Sequence, residues 1–150
     1  MNEPLQDIKK ILKNVKQMTL STSNQNKPWA TTLIFAYDQE LYLYFFSAQD
    51  TRHSQHIRNN KFIAGTIASE HTKGLAEPFH QGIQFEGTCL LVTPKEVTSA
   101  YKCYKQRHPL ISEFHDKKDA TKELYKIKVN KFVLFDTRKR KMRQELTWLN

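Results

Sequence analysis

The 150-residue sequence predicts a mainly β fold (α+β) with peripheral helices, its six or seven short antiparallel strands closed into a barrel. Three observations lead there. Apolar and aromatic runs of strand length recur between residues 18 and 136, and turn residues punctuate them. Helical spacing is confined to a few short stretches. So many short strands would leave unpaired edges in an open sheet, and closure hides them.

In chain order, residues 2–17 form a predicted helix with Pro4 in its first turn and Leu5, Ile8, Ile11, Leu12 and Val15 on one apolar face. Residues 18–23, 29–37 and 41–47 are strands of an antiparallel meander, joined by the turn sequences Asn24-Gln25-Asn26-Lys27 and Asp38-Gln39-Glu40. A helix over 51–59 and a strand over 62–68 follow, then a polar loop over 70–80 holding Gly74 and Pro78, then a long strand over 81–92. Thr93-Pro94-Lys95-Glu96 has the form of a capping box with proline at the first helical position, and Val97, Ala100, Tyr101 and Tyr104 continue at helical spacing. From Pro109 to Thr121 the chain is short and mixed, a helical turn and loop, and two last strands cover 124–129 and 132–136. With no internal repeat, low-complexity tract or linker, 1–150 reads as a single domain of a size that supports one core.

Composition excludes several classes. No apolar run reaches membrane-spanning length and residues 1–17 are too charged for a signal-peptide core, so a cytoplasmic protein without a membrane partner is expected. Cys89 and Cys103 stand apart without a CxxC pair, and read as buried or half-buried thiols rather than a disulfide or zinc framework. His53 and His56 have a spacing compatible with metal ligation, but no third ligand is placed locally, and no metal is predicted. His71 and His80 read as surface histidines and Glu86 as an outward strand residue; no G-x-S-x-G nucleophile elbow occurs. The net charge is +9, and residues 117–150 hold 11 basic against 4 acidic side chains. Such a segment suits phosphate polymers, yet no helix-turn-helix, RNP-like or zinc module accompanies it, so a solvated basic face is the simpler reading and nucleic acid a secondary one.

The most informative stretch is 41–67, LYLYFFSAQDTRHSQHIRNNKFIAGTI. An aromatic strand empties into the turn residues Ser47, Ala48, Gln49 and Asp50, and Asp50 or Thr51 then caps a short helix. Ile57 is expected to face the core, with Arg52, His53, His56 and Arg58 near the helix start and along its exposed side. Amides of a helix start, a guanidinium and the hydroxyls of Ser47 and Thr51 together form a set that holds a phosphate dianion without a glycine-rich loop. An ordinary capped helix with a solvated basic face accounts for the same residues.

The segment resembles the signature of the pyridoxamine phosphate oxidase-like FMN-binding split barrels, in which an aromatic and a hydroxyl residue end one strand and Ser/Thr, Arg and a basic residue follow. Here the match is Phe46 and Ser47, then Thr51, Arg52 and His53, continuing into Asn59 and Asn60. Upstream, 27–36 (KPWATTLIFA) is similar to the preceding family strand; downstream, 82–88 (GIQFEGT) resembles the strand that ends in Glu-Gly, so the three motifs span roughly 18–92. Phe135, Asp136 and Trp148 resemble the closing segment of short family members, although RKRKMR at 138–143 stands where those have a glycine-containing turn. Pyridoxamine phosphate oxidase itself carries Arg, Lys, Lys and Gln at or near Ala30, Phe35, His53 and Gly82, so its substrate is not carried over.

The resemblance implies an FMN-binding split barrel in which Arg52 and His53 pair with the flavin phosphate and Ser47 and Thr51 donate hydroxyls. It further implies that Thr31, Thr32 and Leu33 line the ribityl chain and ring, that Gln84 bonds the ring, and that a homodimer holds two flavin sites at its interface. An enzyme of this kind would be a flavin-dependent oxidoreductase whose cofactor carries the chemistry. The alternative is a non-catalytic flavin-, anion- or nucleic-acid-binding module, and relatives also bind deazaflavin or heme.

Overall fold

The computed structural model describes residues 3–69, 79–110 and 122–147. Helix α1 (Glu3–Asn14) buries Ile8, Ile11 and Leu12 along the apolar stripe legible in its sequence. Strand β1 (Gln17–Asn24) then turns into β2 (Lys27–Ile34) through Gln25 and Asn26, at φ 50° and 59°. Positive φ at both central residues of a two-residue hairpin matches the right-handed strand twist.

After Ile34 a single residue, Phe35, separates β2 from β3 (Ala36–Tyr37). β2 pairs with β1, whereas β3 pairs with β4 (Leu43–Ala48), so one bent run of chain stands at both ends of the sheet. The hydrogen-bonded order is β2-β1-β5-β6-β7-β4-β3, with β5 at Phe62–Ala68, β6 at Gln81–Leu91 and β7 at Lys122–Asp136; β8 (Arg143–Thr147) pairs with β7. Every pairing is antiparallel. The sheet curls until Phe35 joins its two ends, and the predicted split-barrel class holds.

The joint is clasped from outside. Helix α3 (Val97–Arg107) ends with Arg107, which donates through Nε to Phe35 O at 3.2 Å and through Nη2 to Val15 O at 2.7 Å and to Leu12 O. Next to it the buried His108 places Nε2 2.6 Å from Phe35 O. Burial lowers the proton affinity of both side chains, with Phe35 O opposing this at His108. Phe35 itself is fully buried.

Alternation builds the core. Leu20, Phe45, Ile67, Ile83, Ile127, Phe132 and Leu134 point inward from five strands. Tyr44, Leu124 and Ala100 form a second cluster beneath α3, with Phe46, Tyr101 and Cys103 against it. Cys89 is buried and Cys103 half-buried, both as free thiols.

Several boundaries differ from the expectation. The strands predicted over 124–129 and 132–136 are one strand, because the extended backbone runs on through Asn130 and Lys131, with Asn130 the extra residue of a bulge in β7 opposite Glu86/Gly87 of β6. A Cβ on Gly87 would run into Lys128 O, so that approach requires glycine. β8 adds a strand that the basic composition around it obscured. Leu41 belongs to a turn at φ 65° rather than to β4, its strain sustained by burial of its side chain. Helix α3 begins at Val97, not Pro94: the Glu96 carboxylate receives the Thr93 hydroxyl at 2.8 Å and Lys126 Nζ at 2.6 Å, which pull it to about 2 in pKa. The expectations for His71, Gly74, Pro78, Trp148 and most of the 109–121 segment lie outside the described residues.

Candidate functional site

Strand β4 sets up the site by alternation. Leu43, Phe45 and Ser47 face inward, which leaves a hydroxyl, 6% exposed, at the third interior position. The chain then turns, and Thr51 at φ −67°, ψ 150° caps α2 (Arg52–Asn59), its Oγ1 accepting the amide of Ser54 at 3.3 Å. The same oxygen lies 2.9 Å from Ala48 O and 2.8 Å from Ser54 Oγ. The amides of Arg52 and His53 fall in the first turn, where a helix offers no carbonyl partner.

Three side chains converge here. Ser47 Oγ is 2.6 Å from His53 Nε2 and 3.2 Å from Thr51 Oγ1, and Thr51 Oγ1 is 3.2 Å from the same His53 nitrogen. Burial lowers the proton affinity of His53, and His56 one turn on lowers it further, which favours the neutral imidazole. This corrects the expectation that His53 and His56 lie along an exposed side: both are 7% exposed. An eight-residue helix lying on β1, β2 and β6 buries more than its single apolar residue, and His56 meets its need with Nδ1 3.1 Å from Thr22 Oγ1.

Arg52 remains exposed, its guanidinium 4.4 Å above the ring of Trp29 on β2. Register places Trp29 opposite the buried Thr22 and Thr31 opposite Leu20, so Trp29, Thr31 and Leu33 share the inner-facing side of β2 with α2. Thr32 points the other way. It lies in the outer row Thr32-Thr19-Thr66-Gln84-Val133, so Thr32 and Gln84 share a face from which Ser47, Thr51 and His53 are absent. That face carries a groove of about 400 Å³ lined by Ser21, Thr66, Gln84, Glu86 and Lys131, with Gly65 in its floor. Phe46 departs from the predicted set: it turns beneath α3, edge-on to Tyr104 with ring centroids 4.9 Å apart.

Sequence reasoning missed three members of this neighbourhood. Thr22 carried a legible signal, because it follows Met18 and Leu20 at alternating buried positions and a polar residue there demands a partner. Trp29 as the platform for Arg52, and Tyr125 stacked on Phe45 at 5.0 Å, are cross-strand contacts that nothing local announces. Asn60 ties the far end of α2 to β1, donating to Ser23 O at 3.1 Å and to Ser23 Oγ at 3.2 Å. Chemically, the helix start, two hydroxyls, an imidazole and a nearby guanidinium are groups that can donate to an oxyanion; no described carboxylate enters the cluster of Ser47, Thr51 and His53.

Known proteins share this framework. A UPF0306 protein of Pasteurella multocida is 33% identical over 98 residues, covering 63% of this chain and 64% of its own. The chain spans less than two thirds of the length of the curated relatives it matches. The heme storage protein HutZ of Vibrio cholerae superimposes with a TM-score of 0.71 at 16% identity, covering 83% of this chain and 88% of its own. A putative pyridoxamine 5'-phosphate oxidase of Listeria innocua does so at 0.67 and 18% identity, covering 86% and 95%. At those identities the two structures establish the fold alone. The family model described as Pyridoxamine 5'-phosphate oxidase matches residues 5–135, from α1 through β7, and the chain belongs to that family.

Proposed function

We propose that the protein is an FMN-binding flavoprotein that works as a homodimer, with a flavin-dependent oxidoreductase as its enzymatic role. The observation that carries this reading is the convergence of Ser47 Oγ, Thr51 Oγ1 and His53 Nε2 within 2.6–3.2 Å at the start of α2, in a chain of this family. These groups and the first-turn amides suit a phosphate dianion. Arg52 would swing from Trp29 to add its charge, while Thr31 and Leu33 present β2 to the ribityl chain and ring. Thr32 and Gln84, on the outer face, would reach a flavin only where a second subunit covers that face. When bound, the isoalloxazine supplies hydride and single-electron chemistry. The protein holds the phosphate, orients the ring along β2 and selects the donor that stacks on it.

Heme is the competing cofactor, since HutZ, a structural neighbour, is a heme storage protein. The described histidines favour flavin: His53, His56 and His108 are buried and hydrogen-bonded, which leaves His80 as the exposed one among the described residues. A nucleic-acid role is weakened within 138–143, because Arg138 is bonded to Asp136 and Lys139 lies 2.6 Å from Asp7.

Titration of the purified protein with FMN, followed by flavin fluorescence with oligomer size measured on the same sample, tests the reading. Saturable binding by a dimer, weakened about 10- to 100-fold in Arg52→Ala, is expected from the loss of a charge-assisted contact. Saturable binding of hemin without any of FMN would overturn it.

A further inference from the structure

We infer that ligand binding at the α2 seat takes up one proton, on His53, so that this chain holds a phosphate-bearing flavin through a proton-coupled imidazolium. The inference rests on the flavin reading above and concerns what sets affinity at that site.

The geometry of one short contact carries it. Ser47 Oγ and His53 Nε2 are 2.6 Å apart and both residues are almost fully buried, so one hydrogen must lie between them. Without ligand, the Ser47 hydroxyl can supply it to an imidazole acceptor. A phosphate dianion arriving at the helix start needs donors, and the Ser47 hydrogen is one that can turn to it. His53 Nε2 then faces a serine lone pair at 2.6 Å, and the contact survives only with a hydrogen on Nε2. Thr51 gives the same demand, because its hydroxyl is directed to Ala48 O or Ser54 Oγ while its oxygen faces Nε2 at 3.2 Å.

That hydrogen can come from a switch of tautomer within the neutral ring or from protonation, and the charges around His53 decide between them. On α2 itself lie Arg52, His56 and Arg58. β7 brings Tyr125, stacked on Phe45, and Glu123, which is registered opposite Ser47 but bonded to Gln49. β6 brings the buried Cys89, β2 brings Lys27 on the face shared with Trp29, and β1 contributes the neutral Thr22. None of these is a carboxylate bonded to the imidazole, so burial and the neighbouring His56 disfavour its charged form before binding. The incoming dianion reverses that balance, because two negative charges beside a desolvated imidazole favour the charged ring. The proton comes from solvent and leaves with the ligand. A lysine at this position would be charged already, and replacing it by histidine makes occupancy sensitive to pH.

The test is calorimetric titration of the full chain with FMN at about pH 7.5, where the flavin phosphate is mostly dianionic, in two buffers of different ionisation enthalpy. Uptake of roughly 0.5–1 proton is expected, with affinity falling about fivefold or more between about pH 7 and pH 8.5. Riboflavin, without the phosphate, should take up none. His53→Lys should bind FMN with no uptake and a flat pH profile, His53→Gln should bind weakly with no uptake, and His56→Gln should keep the wild-type uptake. FMN binding by the wild type without proton uptake, or uptake that persists in His53→Gln, overturns the coupling and leaves the flavin reading standing. Absence of saturable FMN binding overturns both. The wild-type buffer comparison decides the matter even where a variant fails to fold.

Discussion

Replacing Arg107 by methionine tests whether the barrel is held shut at Phe35. Methionine keeps much of the stem volume and deletes the guanidinium. Arg107 donates to three carbonyls, those of Leu12, Val15 and Phe35, and its guanidinium also lies 4.8 Å from the centre of the Tyr37 ring and 5.3 Å from that of Phe35. Hydrogen bonds to a charged donor contribute about 1.5–3 kcal/mol each, and each ring contact about 0.5–1 kcal/mol. Two terms reduce that total: the guanidinium loses hydration on folding, and His108 still serves Phe35 O. A net loss of about 2–3 kcal/mol remains, or about 4–10 °C in melting temperature for a chain of this size. Urea unfolding should show a lower midpoint at an unchanged slope, and hydrogen exchange should show faster opening at the β3 amides than at β6. A loss below about 0.5 kcal/mol, or exchange accelerated equally in every strand, would refute the clasp.

Further perturbations probe other parts of the argument. Asp136 is buried beneath Arg138, whose side chain and amide donate to it and hold its carboxyl below the usual carboxylate value; Arg138 is the largest cause. Because the folded pKa is the lower one, this contribution is complete above about pH 4 and fades as pH falls through the folded value. Asp136→Asn should therefore lose about 1–3 kcal/mol in urea unfolding at pH 7, with the gap to wild type narrowing near pH 3; a constant gap would refute the assignment. Gln25→Asn, at φ 50° in the β1–β2 turn, should raise the melting temperature by about 1–2 °C, since asparagine accepts the left-handed region more readily; a fall would count against that turn geometry. Gly87→Ala should destabilise by more than about 2 kcal/mol, because the new methyl meets the Lys128 backbone across the bulge; a neutral effect in thermal unfolding would show that the β6–β7 register is wrong. Ser47→Ala should weaken FMN about tenfold while leaving the fold intact by circular dichroism, and unchanged affinity would remove Ser47 from the seat.

Much of this was legible in the chain because the signals are local. The hairpin at Gln25-Asn26, the aromatic run into Ser47, the Thr51 cap and the apolar stripe of α1 each express a short-range preference of a few adjacent residues, and each appears where the sequence placed it. The order of three motifs over 18–92 pointed to the family, which the match over 5–135 extends to β7.

What local sequence determined was which residues alternate; what only the tertiary structure decided was which face each set meets. Period two separates Phe45 and Ser47 from Phe46, but only the placing of α3 sends Phe46 away from the site. The same limit applies to Thr32, parted from Thr31 and Leu33 by the pleat. His53 and His56 read as exposed because a polar helix pattern contains no record of the strands that will cover it, and Thr22 and Ser47 satisfy them from 34 and 6 residues away in the chain. β8 and the unbroken β7 belong to the same class, since their ladder partners lie elsewhere in the sequence. Side-chain chemistry is written residue by residue, whereas burial is a property of what arrives from the other strands, and that arrival makes His53 a buried group bonded to Ser47.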